Sequence, residues 1–134
     1  MNIIVCLDDR DGMLFMKRRQ SRDSALCSRV LQVAQGKTLW MNAFSAGLFS
    51  GADVCVDEAF LEKAGQGEYC FVENCDVTPY LDRIENVLVY RWNRHYPADT
   101  RFPKDLVLGQ RAMKETTDFP GSSHEKITEE VYGL

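Results

Sequence analysis

The chain has 134 residues, of which 45% are hydrophobic and 27% charged, and a formal net charge of −4. That length gives one domain with one real core, and the composition excludes a disordered or collagen-like chain. The negative balance repels phosphate backbones and anionic membranes at long range, so nucleic-acid binding would need a local basic patch.

Asn2 to Leu7 is a short apolar run, read as a strand buried on both faces and stopped by Asp8 and Asp9. It does not read as a signal peptide, and no segment approaches the roughly 20 apolar residues of a membrane span, so a cytoplasmic location and no membrane contact are expected. Asp8 to Gly12 breaks the strand; Asp8, Asp9 and Asp11 lack calcium-loop spacing and read as a solvated turn. Ser21 to Gln35 carries Leu26, Val30, Leu31 and Val33 or Ala34 at helical spacing, with Ser21 or Asp23 as cap and Gly36 as stop. Thr38–Asn42 and Val54–Val56 read as strands, Asp57–Ala64 as a short helix closed by Gly65 and Gly67, and Tyr69–Val72 as another strand. Val77–Arg83 gives a helical turn or two and Val87–Trp92 a strand. Leu106–Thr117 and Glu125–Val131 read as a closing antiparallel pair around Pro120-Gly121. The whole is an α/β domain with a mixed, mostly parallel central sheet, flanking helices and a C-terminal antiparallel hairpin.

Cys6, Cys27, Cys55, Cys70 and Cys75 are odd in number and are expected as reduced, packed thiols. No second cysteine pair completes a zinc set beside Cys70 and Cys75, so no metal is expected. His95 and His124 are the only histidines, too few for a metallo-hydrolase, and a ribonuclease Z label therefore finds no support in the residues. Ser122-Ser123-His124 lies in the hairpin loop, and adjacency of Ser and His in sequence does not make a catalytic pair without spatial convergence and an orienting acid.

Asn2-Ile3-Ile4-Val5, Lys37-Thr38-Leu39-Trp40-Met41 and Ala98-Asp99-Thr100-Arg101-Phe102-Pro103, in this order of elements, resemble the dihydrofolate reductase family from end to end. The resemblance implies the reductase fold as a single domain over 1–134, with a cleft at the strand ends. It also implies a helix carboxylate that orients a pterin, and glycines that let a nicotinamide dinucleotide approach. The position of that acid falls near Leu26, with Asp23 one turn earlier as the substitute. Where glycines would approach the diphosphate stand Glu73-Asn74-Cys75, and Asn42-Ala43 replaces a phosphate-contacting Gly-Arg. No cofactor is therefore expected, with NADPH as the alternative.

Two basic clusters, Lys17, Arg18, Arg19 and Arg22 after the first strand and Arg91, Arg94, His95 and Arg101 along the late one, would open on the same cleft. Arginine forks suit phosphate or carboxylate, and Trp92, Tyr96 or Phe44 offer ring faces, although Trp92 and Tyr90 also fit the core. Arg18, Arg19, Arg22, Arg94, His95 and Thr100 are the candidate ligand contacts, and Asp23 and Thr100 the candidate catalytic groups. The leading expectation is a divergent scaffold holding an anionic nucleotide or folate-like molecule without standard NADPH-dependent reduction. The alternatives are an active oxidoreductase using Asp23, and an RNA-contacting or protein-interaction module.

Overall fold

Alternate residues of the first strand enter different cores. In the computed structural model, which describes residues 1–134, strand β1 (Asn2–Leu7) sends Ile3, Val5 and Leu7 to one side of the sheet and Ile4 to the other, all fully enclosed. This is the two-residue period of a strand covered on both faces. After it come β2 (Gly12–Phe15), β3 (Arg18–Arg19), α1 (Ser24–Val33), β4 (Leu39–Met41), α2 (Ala43–Ala46), β5 (Cys55–Val56) and α3 (Phe60–Lys63). The remainder is β6 (Tyr69–Phe71), a 3₁₀ segment (Thr78–Arg83), β7 (Val87–Arg91), β8 (Thr100–Arg101), α4 (Lys104–Leu108), β9 (Ala112–Phe119) and β10 (Ile127–Gly133).

Seven strands form one sheet in the order β5-β4-β6-β1-β7-β10-β9. The first five are parallel, and β10 runs antiparallel to both β7 and β9. The mixed, mostly parallel sheet with a closing hairpin is thus present. On one face, Leu26 and Val30 of α1 pack with Ile4, Phe71, Leu88 and Tyr90; on the other, Phe60, Leu61, Val77 and Val107 pack with Ile3, Val5 and Val87. Val87 at one end of the late strand and Trp92 just beyond the other are both buried, as is Tyr90, whose hydroxyl donates to Glu129 at 2.7 Å.

Three details depart from the sequence reading. The loop expected after β1 is a small second sheet, β3-β2-β8, in which Leu14 pairs with both Arg19 and Thr100. The segment expected as a strand from Leu106 begins instead as helix α4, which buries Val107 and Leu108, leaves Leu106 exposed, and is ended by Gly109 at φ 55°. The first helix starts at Ser24, with Asp23 and not Ser21 as its cap. All five cysteines are free thiols.

Candidate functional site

Two buried carboxylates organise the ends of β1 and α1. Asp8, 1% exposed at the end of β1, accepts through Oδ1 from the backbone N–H of Arg10 at 2.8 Å and Gly12 at 2.7 Å. Its Oδ2 accepts from the N–H of Tyr96 at 3.1 Å and from Gln20 Nε2 at 3.3 Å. Burial opposes its charge, but these four bonds outweigh burial and hold the carboxyl below its usual range. Only glycine fits at Gly12, since a Cβ there would stand 2.6 Å from Gln20 Nε2 and 2.7 Å from Ala98 Cβ. The reading of this turn as solvated carboxylates is corrected: Asp8 is an internal tie, and Asp11 pairs with Arg91 at 2.7 Å.

Asp23 joins α1 to the β9–β10 loop. Its Oδ1 accepts from Leu26 N at 3.0 Å, capping α1, and from Ser122 N at 3.0 Å in the β9–β10 loop. Its Oδ2 accepts from Ser123 N at 2.9 Å and from His124 Nδ1 at 3.0 Å. Burial again works against the charge, and the bonds from Ser122, His124, Ser123 and Leu26 overcome it, so the carboxyl lies far below the ordinary range. Because an ionised carboxylate only accepts, His124 carries a proton on Nδ1 toward Asp23, and its Nε2 lies 2.8 Å from Tyr96 Oη, where the singly protonated tautomer accepts the phenol's proton. Trp92 stacks on the imidazole, with centroids 4.5 Å apart. Asp23 is therefore fully engaged and enclosed, and its oxygens do not open on any cleft. Ser122-Ser123-His124 meets a buried acid in space, Asp23, which the sequence spacing could not show.

The basic residues do not meet in one place. Arg19 is bound by Glu73 at 3.0 Å, donates to Phe44 O at 2.8 Å and lies over the Phe44 ring at 4.4 Å, while Ser45 Oγ donates to Glu73 at 2.8 Å. This clasp pulls the β2–β3 hairpin onto α2. Behind it, among Cys6, Met13, Val72, Glu73 and Trp92 at the strand ends, only about 10 Å³ of space remains. Arg91 is held by Asp11 and Glu130. Arg18 lines an outer cleft of about 440 Å³ with Arg19, Gln20, Phe15, Met16, Tyr96 and Pro97, and enters none of the ion pairs. Arg94 belongs to a separate polar cavity with Trp92, Asn93, Glu125 and Lys126. Thr100 and Arg101 line a third, of about 370 Å³, with Glu73, Asn74, Cys75 and Asp76. Arg22 and His95 are exposed and line none of these. No three His, Cys, Asp or Glu side chains are grouped to hold a metal.

No protein-family model matches the sequence, and no curated protein does. A dihydrofolate reductase from Enterococcus faecalis, complexed with NADP(H) and RAB-propyl, superposes with a TM-score of 0.69 over 98% of this chain and 94% of that one, at 12% identity. The fold is that of dihydrofolate reductase. At such identity the likeness extends to architecture alone.

The residues beyond β6 in this reductase fold do not suit a dinucleotide. A diphosphate needs bare backbone close by and a helix N-terminus facing it. Here Glu73, Asn74, Cys75 and Asp76 bring side chains and two carboxylates into the cavity, and Asp76 already takes the N–H of Thr78 at 3.0 Å. The helical segment that follows, Thr78–Arg83, is two short 3₁₀ turns broken by a kink at Tyr80.

Gln20, the anchored hydroxyl of Tyr96 and the structural part played by His124 escaped the sequence reading, which had offered Tyr96 only as a ring face. The one available signal was Tyr96-Pro97 next to a predicted strand end, which marks an anchored turn but not its partners. The pairings themselves span 28 residues for Tyr96 with His124 and 101 for His124 with Asp23, beyond any local pattern.

Proposed function

We propose that the protein binds an anionic small molecule carrying a flat heterocycle, a nucleotide or folate-like compound, and does not perform NADPH-dependent reduction. The observation that carries this reading is Arg18: an arginine outside every ion pair, on the rim of a cleft of about 440 Å³ whose walls include Phe15, Met16, Tyr96 and Pro97. A pocket of that size accommodates a small ligand, and the guanidinium fork grips phosphate or carboxylate in two places. Gln20 lines the same cleft, its amide held by Nε2 donating to Asp8 and to Pro97 O. Against a reductase stand the Arg19–Glu73 clasp across the strand-end crevice and the complete engagement of Asp23.

Thermal unfolding with nucleoside monophosphates, folates and their neutral parent heterocycles tests the reading, because a ligand that binds only the folded state raises the melting temperature. At least one charged compound stabilises the wild type, its neutral parent does so less, and Arg18→Ala loses most of the shift, about tenfold or more in affinity. No stabilisation by any charged compound overturns the proposal.

A further inference from the structure

Of five tyrosines, Tyr80, Tyr90, Tyr96 and Tyr132 have a hydroxyl partner, and one of these four differs from the rest in what that partner is. Tyr90 donates to Glu129 at 2.7 Å, Tyr132 to Glu130 at 3.1 Å and Tyr80 to Glu62 at 3.5 Å. A phenol facing a carboxylate is held in its protonated form; burial followed by the neighbouring carboxylate pushes both Tyr90 and Tyr132 up. Tyr96 alone faces an imidazole nitrogen, and that imidazole is oriented from behind by a buried acid.

Tyr96 is also fixed at both ends. Its N–H is bound by Asp8 at 3.1 Å and its hydroxyl by His124 at 2.8 Å, and Pro97 restricts the backbone that follows. His124 in turn is enclosed and clamped between Asp23 and the Trp92 ring. Such a line of groups, acid to imidazole to hydroxyl, is the arrangement that activates weak oxygen nucleophiles and bases, whatever fold carries it. Ser123 does not fill the hydroxyl's place, because its Oγ lies 3.3 Å from Nδ1, the nitrogen that faces Asp23, and is bonded to Arg22 O.

We infer that Tyr96 is a general base toward the ligand of the Arg18 cleft, with His124 and Asp23 as its positioning residues, and that the substrate is a small anion bearing an acidic N–H or O–H. The inference rests on the cleft reading above for where that substrate sits. In the step, the Tyr96 hydroxyl proton passes to Nε2 of His124, giving an imidazolium held by ionised Asp23. The phenolate oxygen takes the proton of the ligand's N–H or O–H, and the electron pair of that bond stays on the ligand. No oxidant, reductant or further reactant takes part.

The test is chemical labelling of the folded protein with two sulfonyl fluorides, the anionic 4-(fluorosulfonyl)benzoate and the neutral phenylmethanesulfonyl fluoride. On labelling, the phenol oxygen bonds to sulfur, the S–F bond breaks, fluoride leaves and the proton goes to His124. Peptide mapping by mass spectrometry gives the rate at each tyrosine. Tyr96 is sulfonylated by the anionic reagent at least about tenfold faster than each of the other four tyrosines in the wild type. His124→Gln lowers that rate about tenfold, while Tyr96→Phe removes the label from this peptide. A Tyr96 rate no higher than the others, a label on Ser123 instead, or an unchanged rate in folded His124→Gln overturns the inference. The wild-type comparison stands even if His124→Gln does not fold. Fast Tyr96 labelling by both reagents alike supports the relay and counts against the anionic character of the cleft, so the two readings fail separately.

Discussion

Gly121 shows how closely the charged ties are packed. At Gly121 a Cβ would lie 2.5 Å from Asp23 Oδ2 and 2.7 Å from His124 O, so an alanine there must force the β9–β10 loop off its acid. Gly121→Ala is expected to cost about 2 kcal/mol or more in urea denaturation, since it takes the Ser122, Ser123 and His124 donors away from the buried carboxylate of Asp23. Gly47→Ala is the control: nothing lies within 4 Å of its added Cβ, and the change should be neutral or slightly stabilising. Equal losses at the two positions would remove Asp23 from its place as the organising residue. In the sequence, Asp23 showed as a helix cap and, through the family resemblance, as a candidate acid, but not as a tie to the β9–β10 loop, because the capping spacing of three residues is a chain-local signal whereas its bonds to Ser122 and His124 are tertiary.

Among the elements, strands with strong patterns were legible and the small ones were not. β1 and β7 announce themselves by runs of Ile, Val and Leu, and α1 by the spacing of Leu26 and Val30. The β2–β3 hairpin gives no such signal, because its two-residue turn is Met16-Lys17, held at φ 51° and 63°, where Asn-Gly is the usual mark. Met16 N bonds Asp99 Oδ2 at 3.0 Å, so the turn is kept by a partner 83 residues away. Replacing Met16-Lys17 by Asn-Gly should therefore raise stability by about 1 kcal/mol, read as roughly 3–5 °C in melting temperature. A lower melting temperature would mean that the Met16 and Lys17 side chains contribute more than the strained backbone costs. Because this hairpin carries Arg18 and Arg19, its invisibility in the sequence is also why the two basic clusters were expected to converge. The turn sets Arg18 outward on the cleft and Arg19 inward on Glu73.

At the scale of the molecule, the stability of the fold is tied to acids that must remain ionised. Asp8, Asp23 and Glu129 are all held below their ordinary range, Glu129 against burial by Arg29 and Tyr90. A group whose folded value is depressed contributes stability above its unfolded value, about 4 for a carboxyl, and loses it as pH falls toward the folded value. The urea midpoint should accordingly be nearly flat from about pH 7 to 5 and fall steeply below about pH 4. Asp23→Asn should start lower at neutral pH and fall less. A midpoint unchanged down to about pH 3 would contradict this.

The whole molecule joins a reductase architecture to a crevice closed by an ion pair. It has the strand order and closing hairpin of a dihydrofolate reductase, yet Glu73, Asn74, Cys75 and Asp76 line the place beyond β6, and Arg19 is locked across the crevice. Isothermal titration of the wild-type protein with NADPH addresses that combination directly. The clasp and the carboxylates predict no saturable heat at concentrations where an anionic ligand of the Arg18 cleft gives a full isotherm. A stoichiometric, saturable NADPH isotherm would show that the crevice opens and accepts the dinucleotide, contradicting the account.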